Sequence, residues 1–406
     1  MIIIQTILII VGSYWLFYSA NWLILVLLGR ENKQSPKEIN KDNPEVLLIL
    51  PAYQPGPIFS QVMQSVKQAI QQRNVHVFVL LQDAATSFWE EARAYGFYVE
   101  SASFKHLGGN TYQHALRHAA AVIHARQEKG KWNPEFVMIL DKDNLLQTDF
   151  FDNIPSRIYD QYDIIQGKRK SLATKTSIAF FDSISEKLND VMFRTAKQRL
   201  GCMIEISGSA ALIETDLFIE TLFKLDASAP GFDKNFMINL LNTKRDVRSI
   251  FWPASGVTEE KTSKLETHDQ QRLRWFGEQY YNALWHGKSL LASAIRYKRW
   301  SPIDYLITLW RPPRSLHTLV MPLAAFVETL WFLIHGSWPL QWPLYTASGL
   351  LVLLAMIIFL AHQRMLTQAL MHMTRLPQLA WHNMVTSMKS LRKENRGKFI
   401  HTTHEL

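Results

Sequence analysis

Two carboxylates, Asp141 and Asp143, stand one residue apart at the end of an apolar run, in Phe136 to Asn144, FVMILDKDN. Five apolar residues bounded upstream by Pro134 predict a buried strand. The acids then fall at its carboxyl end, where open α/β sheets place their ligands. On extended chain, residues two apart share a face, so the two carboxylates can share a cation while Lys142 points elsewhere. Two hard oxygen ligands suit Mg²⁺ or Mn²⁺, which usually takes substrate phosphates as further ligands. Taken alone, D-x-D reads equally as a polar turn, since Asp is a favoured turn residue.

Other stretches carry weaker signals of the same kind. Asp83 closes the apolar run His76 to Leu81 and suits contact with a nucleotide base or ribose, or a plain turn. Gly108-Gly109-Asn110, ahead of a helix, could cradle phosphate on backbone amides. Gly208 and Ser209, in ISGSAALI, are small enough for a chain or ligand to pass close to backbone. Asp233 precedes a helix-like run in PGFDKNFMINLL and could be only its cap. Between Thr267 and Glu278, Gln271, Arg274 and Trp275 share one helix face. They offer an amide, a guanidinium suited to phosphate and a flat ring suited to a sugar. His114 and His118 are four apart but lack the acid of a metalloprotease helix, so they read as a solvated face.

The elements that must hold these groups follow from periodicity. Strands are expected at Glu45 to Leu50 (stopped by Pro51), His76 to Leu81, Phe97 to Val99 and Phe136 to Leu140, and a helix at Ile58 to Gln72. Thr111 to Glu128 predicts a second helix. Strand alternating with helix predicts a doubly wound, mostly parallel sheet. The polar region Asp163 to Gly201, with Lys168-Arg169-Lys170, reads as a solvated or phosphate-facing loop. It lacks the broad basic face with exposed aromatics that nucleic-acid binding wants.

The 406 residues are 48% hydrophobic but only 19% charged, below the roughly 25% usual in soluble domains. The deficit is local. Ile2 to Gly29 contains no charged residue and can span a bilayer; no basic residue precedes it, which argues against a cleaved signal peptide. Arg30, Lys33, Lys37 and Lys41 follow, placing the downstream chain on the cytoplasmic side. Ser315 to Ile334 and Leu344 to Ala361 predict a transmembrane hairpin, with Glu328 facing a partner helix or polar path. Mixed apolar and basic residues from Trp285 to Arg314 predict a segment lying on anionic lipid. The tail from Met365 is expected to fold back on the membrane surface or the catalytic domain. The net charge of +9 then belongs largely to membrane electrostatics. The single cysteine, Cys202, excludes an internal disulfide.

In this order, the pieces PAY, Asp83, D-K-D, G-S-A-A-L, G-F-D-K and Q-R-L-R-W resemble a family 2 inverting glycosyltransferase, over about Val46 to Glu278. The likeness is to the membrane-embedded branch of cellulose, chitin, hyaluronan and related bacterial polysaccharide synthases. It implies a GT-A-type α/β domain over 30–284. Around it would lie a transmembrane anchor at 1–29, an interfacial segment at 285–314, a transmembrane hairpin at 315–362 and a basic cytoplasmic tail at 363–406. It implies a multi-pass protein of a bacterial inner membrane. A nucleotide-sugar donor, a UDP-sugar, would react with a growing polysaccharide or a lipid-linked acceptor, with an export or accessory subunit as a further partner.

By the same resemblance, Asp83 would contact the uridine. Asp141 and Asp143 would hold the nucleotide and Mg²⁺ or Mn²⁺, with Asp143 the direct ligand. Asp233 would be the general base. Arg274 would bind the diphosphate, and Gln271, Trp275, Gly208 and Ser209 would lie on the acceptor side. Glu259-Glu260-Lys261 is similar to an acidic-Glu-Lys signature of some bacterial members. Three positions depart from the pattern: Phe232 replaces an acidic partner of Asp233, Gln82 the first of two aspartates, and Tyr112 lies near the place of a phosphate-side lysine. These departures keep open a second class, a non-catalytic membrane partner of another glycan synthase.

Overall fold

In the computed structural model, described over residues 2–30, 44–71, 73–107, 111–172, 176–227, 229–259 and 265–392, the apolar runs join one eight-stranded sheet. Gly108-Gly109-Asn110, Lys33, Lys37, Lys41, Glu260, Lys261 and the tail beyond 392 lie outside the described residues. The strands are β1 (Val46–Tyr53), β2 (Val75–Gln82), β3 (Tyr98–Ser101), β4 (Phe136–Ile139), β5 (Asn144–Leu146), β6 (Ile164–Ser171), β7 (Ala211–Glu214) and β8 (Ser249–Glu259). Their order is β3-β2-β1-β4-β7-β6-β8-β5.

The expected parallel sheet holds for one half only. β1, β2, β3 and β4 run parallel, whereas β7 is antiparallel to both β4 and β6, and β5 is antiparallel to β8. The sheet is therefore mixed. The reason lies in the connections: helices Ile58–Ala69 and Thr86–Ala94 return the chain between the parallel strands, while β7 enters from a loop that reverses it. β1 is buried on both faces, with Leu47 and Ile49 in one core and Val46, Leu48, Leu50 and Ala52 in the other. That is why it reads as an unbroken apolar run rather than an alternating one.

Pro51 does not end β1, contrary to expectation. Ile49 O accepts from Leu140 N at 3.0 Å, so odd-numbered residues of β1 turn their polar groups toward β4. β4 stops at Ile139, opposite Ile49, so the N–H that Pro51 lacks has no ladder partner to lose. Helix Ile58–Ala69 buries Phe59, Val62, Met63, Val66 and Ala69 along one stripe against the sheet.

The region 163–201 is not a loop. Lys168-Arg169-Lys170 lies in β6, and helix Ser177–Leu188 continues through a π-helical turn, Asn189–Thr195, into Ala196–Arg199. Its apolar side, including Phe180, Leu188, Val191 and Phe193, packs on Trp22, Leu25 and Val26 of the N-terminal helix. The boundary expected at 284/285 falls inside a single helix, Leu265–Tyr297, whose Leu290 and Ala294 are buried. Segment 285–314 is thus partly core: Tyr305 and Leu309, on the next helix, Ser301–Leu309, join the same cluster as β1.

Three helices among the described residues are long and apolar enough to cross a membrane: Ile2–Leu28, Arg314–His335 and Leu344–His362. A Cβ on Gly349 would stand 2.5 Å from Ala325 Cβ, so the hairpin depends on that residue being small. Glu328 faces its partner helix as expected, its Oε2 accepting from Thr346 N at 2.6 Å. The segment after the hairpin folds back: Tyr280 Oη lies 2.9 Å from Ser387 Oγ, and Asn383 Nδ2 donates to Ser315 Oγ at 2.8 Å.

Candidate active site

Strand order reverses beside β1: β2 and β3 extend to one side and β4 starts the other. The crevice beyond the carboxyl ends at such a switch point is where α/β sheets bind ligands. Here it opens into a cavity of about 980 Å³, whose wall includes Asp141, Asp143, Gly208, Asp233, Gln271, Arg274 and Trp275. Residues from separate stretches of chain meet there.

Asp141-Lys142-Asp143 is not extended but turned, with Asn144 N donating to Asp141 O at 3.1 Å. Lys142 still points elsewhere: its Nζ donates to Tyr53 O at 2.5 Å, at the end of β1. Asp141 is held from two sides. Its N–H donates to Ser209 Oγ at 3.2 Å, and the Tyr112 hydroxyl donates to its Oδ1 at 3.1 Å. Burial, and then the charge of Asp143, raise the Asp141 carboxyl above the ordinary range, against the pull of Arg169. Burial, then Asp141, likewise keeps the Tyr112 hydroxyl protonated and a donor.

Such a carboxylate pair fits a hard divalent cation, which would relieve the repulsion that raises Asp141. Among the described residues no group of three His, Cys, Asp or Glu side chains could hold a metal. An ion here would therefore combine Asp141 and Asp143 with oxygens from a ligand.

Asp233 lies in the first turn of helix Phe232–Asn242. Its Oδ1 lies 3.0 Å from where a Cβ on Gly208 would be, so the glycine lets the ISGSA backbone reach the carboxylate. Burial raises its carboxyl above the usual range, opposed by Lys234 and Arg169. Phe232 is buried edge-on to Tyr112, ring centroids 5.7 Å apart, so two of the departures noted in the sequence pack on each other. A carboxylate near Asp233 comes instead from Glu278, whose Oε2 lies 3.5 Å from Lys234 Nζ and whose Oε1 lies 3.6 Å from Arg274 Nε.

Not every expected residue reaches the cavity. Asp83 turns away in a left-handed conformation (φ 49°) and pairs with Lys105 at 2.5 Å, while Gln82 forms the wall. Ser209 is fully buried, and its hydroxyl oxygen accepts from the backbone of Asp141. The Trp275 ring carries the Arg272 guanidinium, 4.8 Å from its centroid.

Sequence reasoning missed Arg169 as a site residue. Its guanidinium enters the cavity wall paired with Glu259 of β8. The only signal was a basic triplet, and strand alternation, which sends Arg169 opposite to Lys168 and Lys170, could have singled it out.

A family model described as glycosyltransferase like family 2 matches residues 44–278, more than half of the chain. Among solved structures, the mannosyltransferase PcManGT from Pyrobaculum calidifontis, in complex with GDP-Man and Mn²⁺, has a similar fold. It is 16% identical over 94% of this chain and 97% of that one, with a TM-score of 0.52. S. aureus TarS 1–349 aligns at 11% identity over 85% and 88% (TM-score 0.39). Glucosyl-3-phosphoglycerate synthase from Mycobacterium tuberculosis, in complex with Mn²⁺, UDP and phosphoglyceric acid, aligns at 14% over 62% and 78% (TM-score 0.36). No curated protein sequence matches the chain.

Proposed function

The chain belongs to the glycosyltransferase-like family 2, and from that premise we propose that it transfers a sugar from a nucleotide sugar, with inversion, to an acceptor at the cytoplasmic face of a bacterial inner membrane. The observation that carries this reading is the cavity in which Asp141, Asp143, Asp233, Gln271 and Arg274 meet. Asp141 and Asp143 would hold Mg²⁺ or Mn²⁺, which when bound neutralises charge growing on the departing diphosphate. Arg274 meets the diphosphate from the helix side. Asp233 takes the proton of the attacking hydroxyl, a task that a carboxyl raised by burial suits better than an exposed one. The acceptor attacks opposite the leaving diphosphate, and a single in-line displacement inverts the anomeric centre.

The test is nucleotide release by the purified full chain with Mn²⁺ or Mg²⁺ and membrane extract. The donor panel covers UDP-sugars and, because the fold neighbour was solved with GDP-Man, GDP-sugars as well. Release with one donor, lost on adding EDTA, is the expected result. Nucleotide binding without release from any donor would overturn the reading in favour of a non-catalytic partner.

A further inference from the structure

The cavity does not end at the carboxylates. Its wall continues past Gln271 and Trp275 to Arg311 and Arg314, and then into two apolar faces. On helix Leu344–His362, Leu353, Met356, Ile357 and Leu360 form one stripe at i, i+3, i+4 and i+7 toward this space. Leu370 and Met373, on the returning segment, line the same space. Ile357 and Leu370 are 54% and 57% exposed, although their neighbours Phe359 and Ala369 are buried in a core. The apolar faces thus flank an open slot on a helix long and apolar enough to lie in a membrane.

The polar end of the slot is basic. Arg314 donates to two neutral oxygens, Ser185 O at 2.9 Å and Asn189 Oδ1 at 2.5 Å, and among the described residues it forms no salt bridge. Arg311 reaches one carboxylate, Glu205, at 3.4 Å. The carboxylates near them are Glu205 and Glu186, and Glu186 is already paired with Arg194 at 2.9 Å, so two guanidiniums in a partly desolvated wall call for a further anion. An uncharged sugar chain would leave the apolar stripe from Leu353 to Leu360 without a matching surface, whereas a hydrocarbon chain would cover it.

We propose that the acceptor is a lipid with a phosphate-bearing head group, drawn sideways from the leaflet at the His362 end of the hairpin. Its hydrocarbon lies between the Leu353–Leu360 stripe and Leu370 and Met373, and its phosphate meets Arg311 and Arg314. This assignment rests on the transferase reading above for the step that follows. A head-group oxygen forms the new bond to the anomeric carbon as that carbon's bond to the nucleoside diphosphate breaks. The electron pair leaves with the diphosphate, and a hydroxyl nucleophile gives its proton to Asp233.

The experiment uses the full chain in neutral phosphatidylcholine nanodiscs. Native mass spectrometry reads the binding of three added lipids: a long-chain isoprenyl monophosphate, phosphatidylglycerol and the matching isoprenyl alcohol. At least one phosphate lipid should bind tenfold or more tighter than the alcohol. Ile357→Trp, which fills the slot from an exposed position, and Arg311→Gln should each weaken that binding at least tenfold. Phe326→Trp, on an exposed face outside the cavity, should leave it unchanged. The lipid that takes up donor-derived label into an organic-soluble product identifies the source of the phosphate.

Equal binding of alcohol and phosphate lipids, or binding untouched by Ile357→Trp, would overturn the proposal. So would label found only in a water-soluble polymer, an outcome that leaves the transferase reading standing. Lipid binding that Ile357→Trp abolishes, with no nucleotide release from any donor, would instead sink the transferase reading and keep the lipid site.

Discussion

The two ends of the cavity leave charge unbalanced in opposite senses. At the sheet end Asp141 and Asp233 share the neighbourhood of Arg169, itself engaged by Glu259, while Asp233 also lies near Lys234 and Arg274 and Asp141 beside Asp143. At the membrane end Arg311 and Arg314 lie near Glu205, which also stands 3.8 Å from Lys197, and near Glu186, which Arg194 engages at 2.9 Å. Desolvated charge is costly, so on the proposed reading a cation completes the first end and an anion the second. The ends also differ in how they are built. Asp141 and Asp143 follow the end of β4 and Asp233 opens helix Phe232–Asn242, which packs in the same core as the sheet, whereas the arginines follow helix Ser301–Leu309 and depend on helix-to-helix contacts.

The comparison breaks most visibly at the sheet end. Asp233→Asn should lower transfer by about 10²–10⁴-fold, the usual range for a lost general base, while nucleotide binding by equilibrium dialysis stays intact. Asp143→Asn should do the reverse, weakening Mn²⁺-dependent nucleotide binding by about 100-fold. Normal turnover in the Asp233→Asn protein would remove the role of base from this carboxylate.

At the membrane end the expected losses are of stability. Lys197 is fully buried, its Nζ 2.8 Å from Asp304 Oδ2 and 2.6 Å from Thr308 Oγ1, tying Ala196–Arg199 to the helix that leads to Arg311. Lys197→Met would leave Asp304, its side chain 13% exposed, without its cation, at about 3 kcal/mol, the low end for a broken buried pair, read as a lowered Tm. A Tm unchanged by this substitution would mean that the arginine end does not depend on this tie.

The smaller effect is on pH. His268 is buried beside Arg272, whose Nε donates to its Nε2 at 3.2 Å, and burial holds its pKa down from 6.5 to about 4. The folded chain stays unprotonated there while the unfolded chain gains a proton. Stability should therefore fall as pH drops from 6.5 toward 4, by roughly 3 kcal/mol at the lower end. Melting curves of His268→Asn over that window should lose the part of the slope due to this group, and an unchanged slope would refute it.

Much of the sheet end could be read from the chain because its signals are local. A short apolar run ending in D-K-D gave both the strand and the place of its acids, and Thr111–Glu128 came out with the bounds periodicity predicts. The pairing of Asp83 with Lys105 was not legible, because the partner stands 22 positions later. The bond of Ser209 to the Asp141 backbone was not legible either, because small residues look alike whether they face a ligand or hold a backbone.

Composition and local pattern thus sufficed for three helices apolar enough to span a membrane, for strands β1 to β4 and for the residue types of the carboxylate set, but not for β5, β6 or β8. Long-range packing set the antiparallel half of the sheet, the entry of Arg169 into the cavity and the continuity between the carboxylates and the slot beside Ile357. The physical reason is range. Periodicity reports which face of an element is buried, but the partner of that face is chosen by packing between residues more than a hundred positions apart, as Lys197 and Asp304 show.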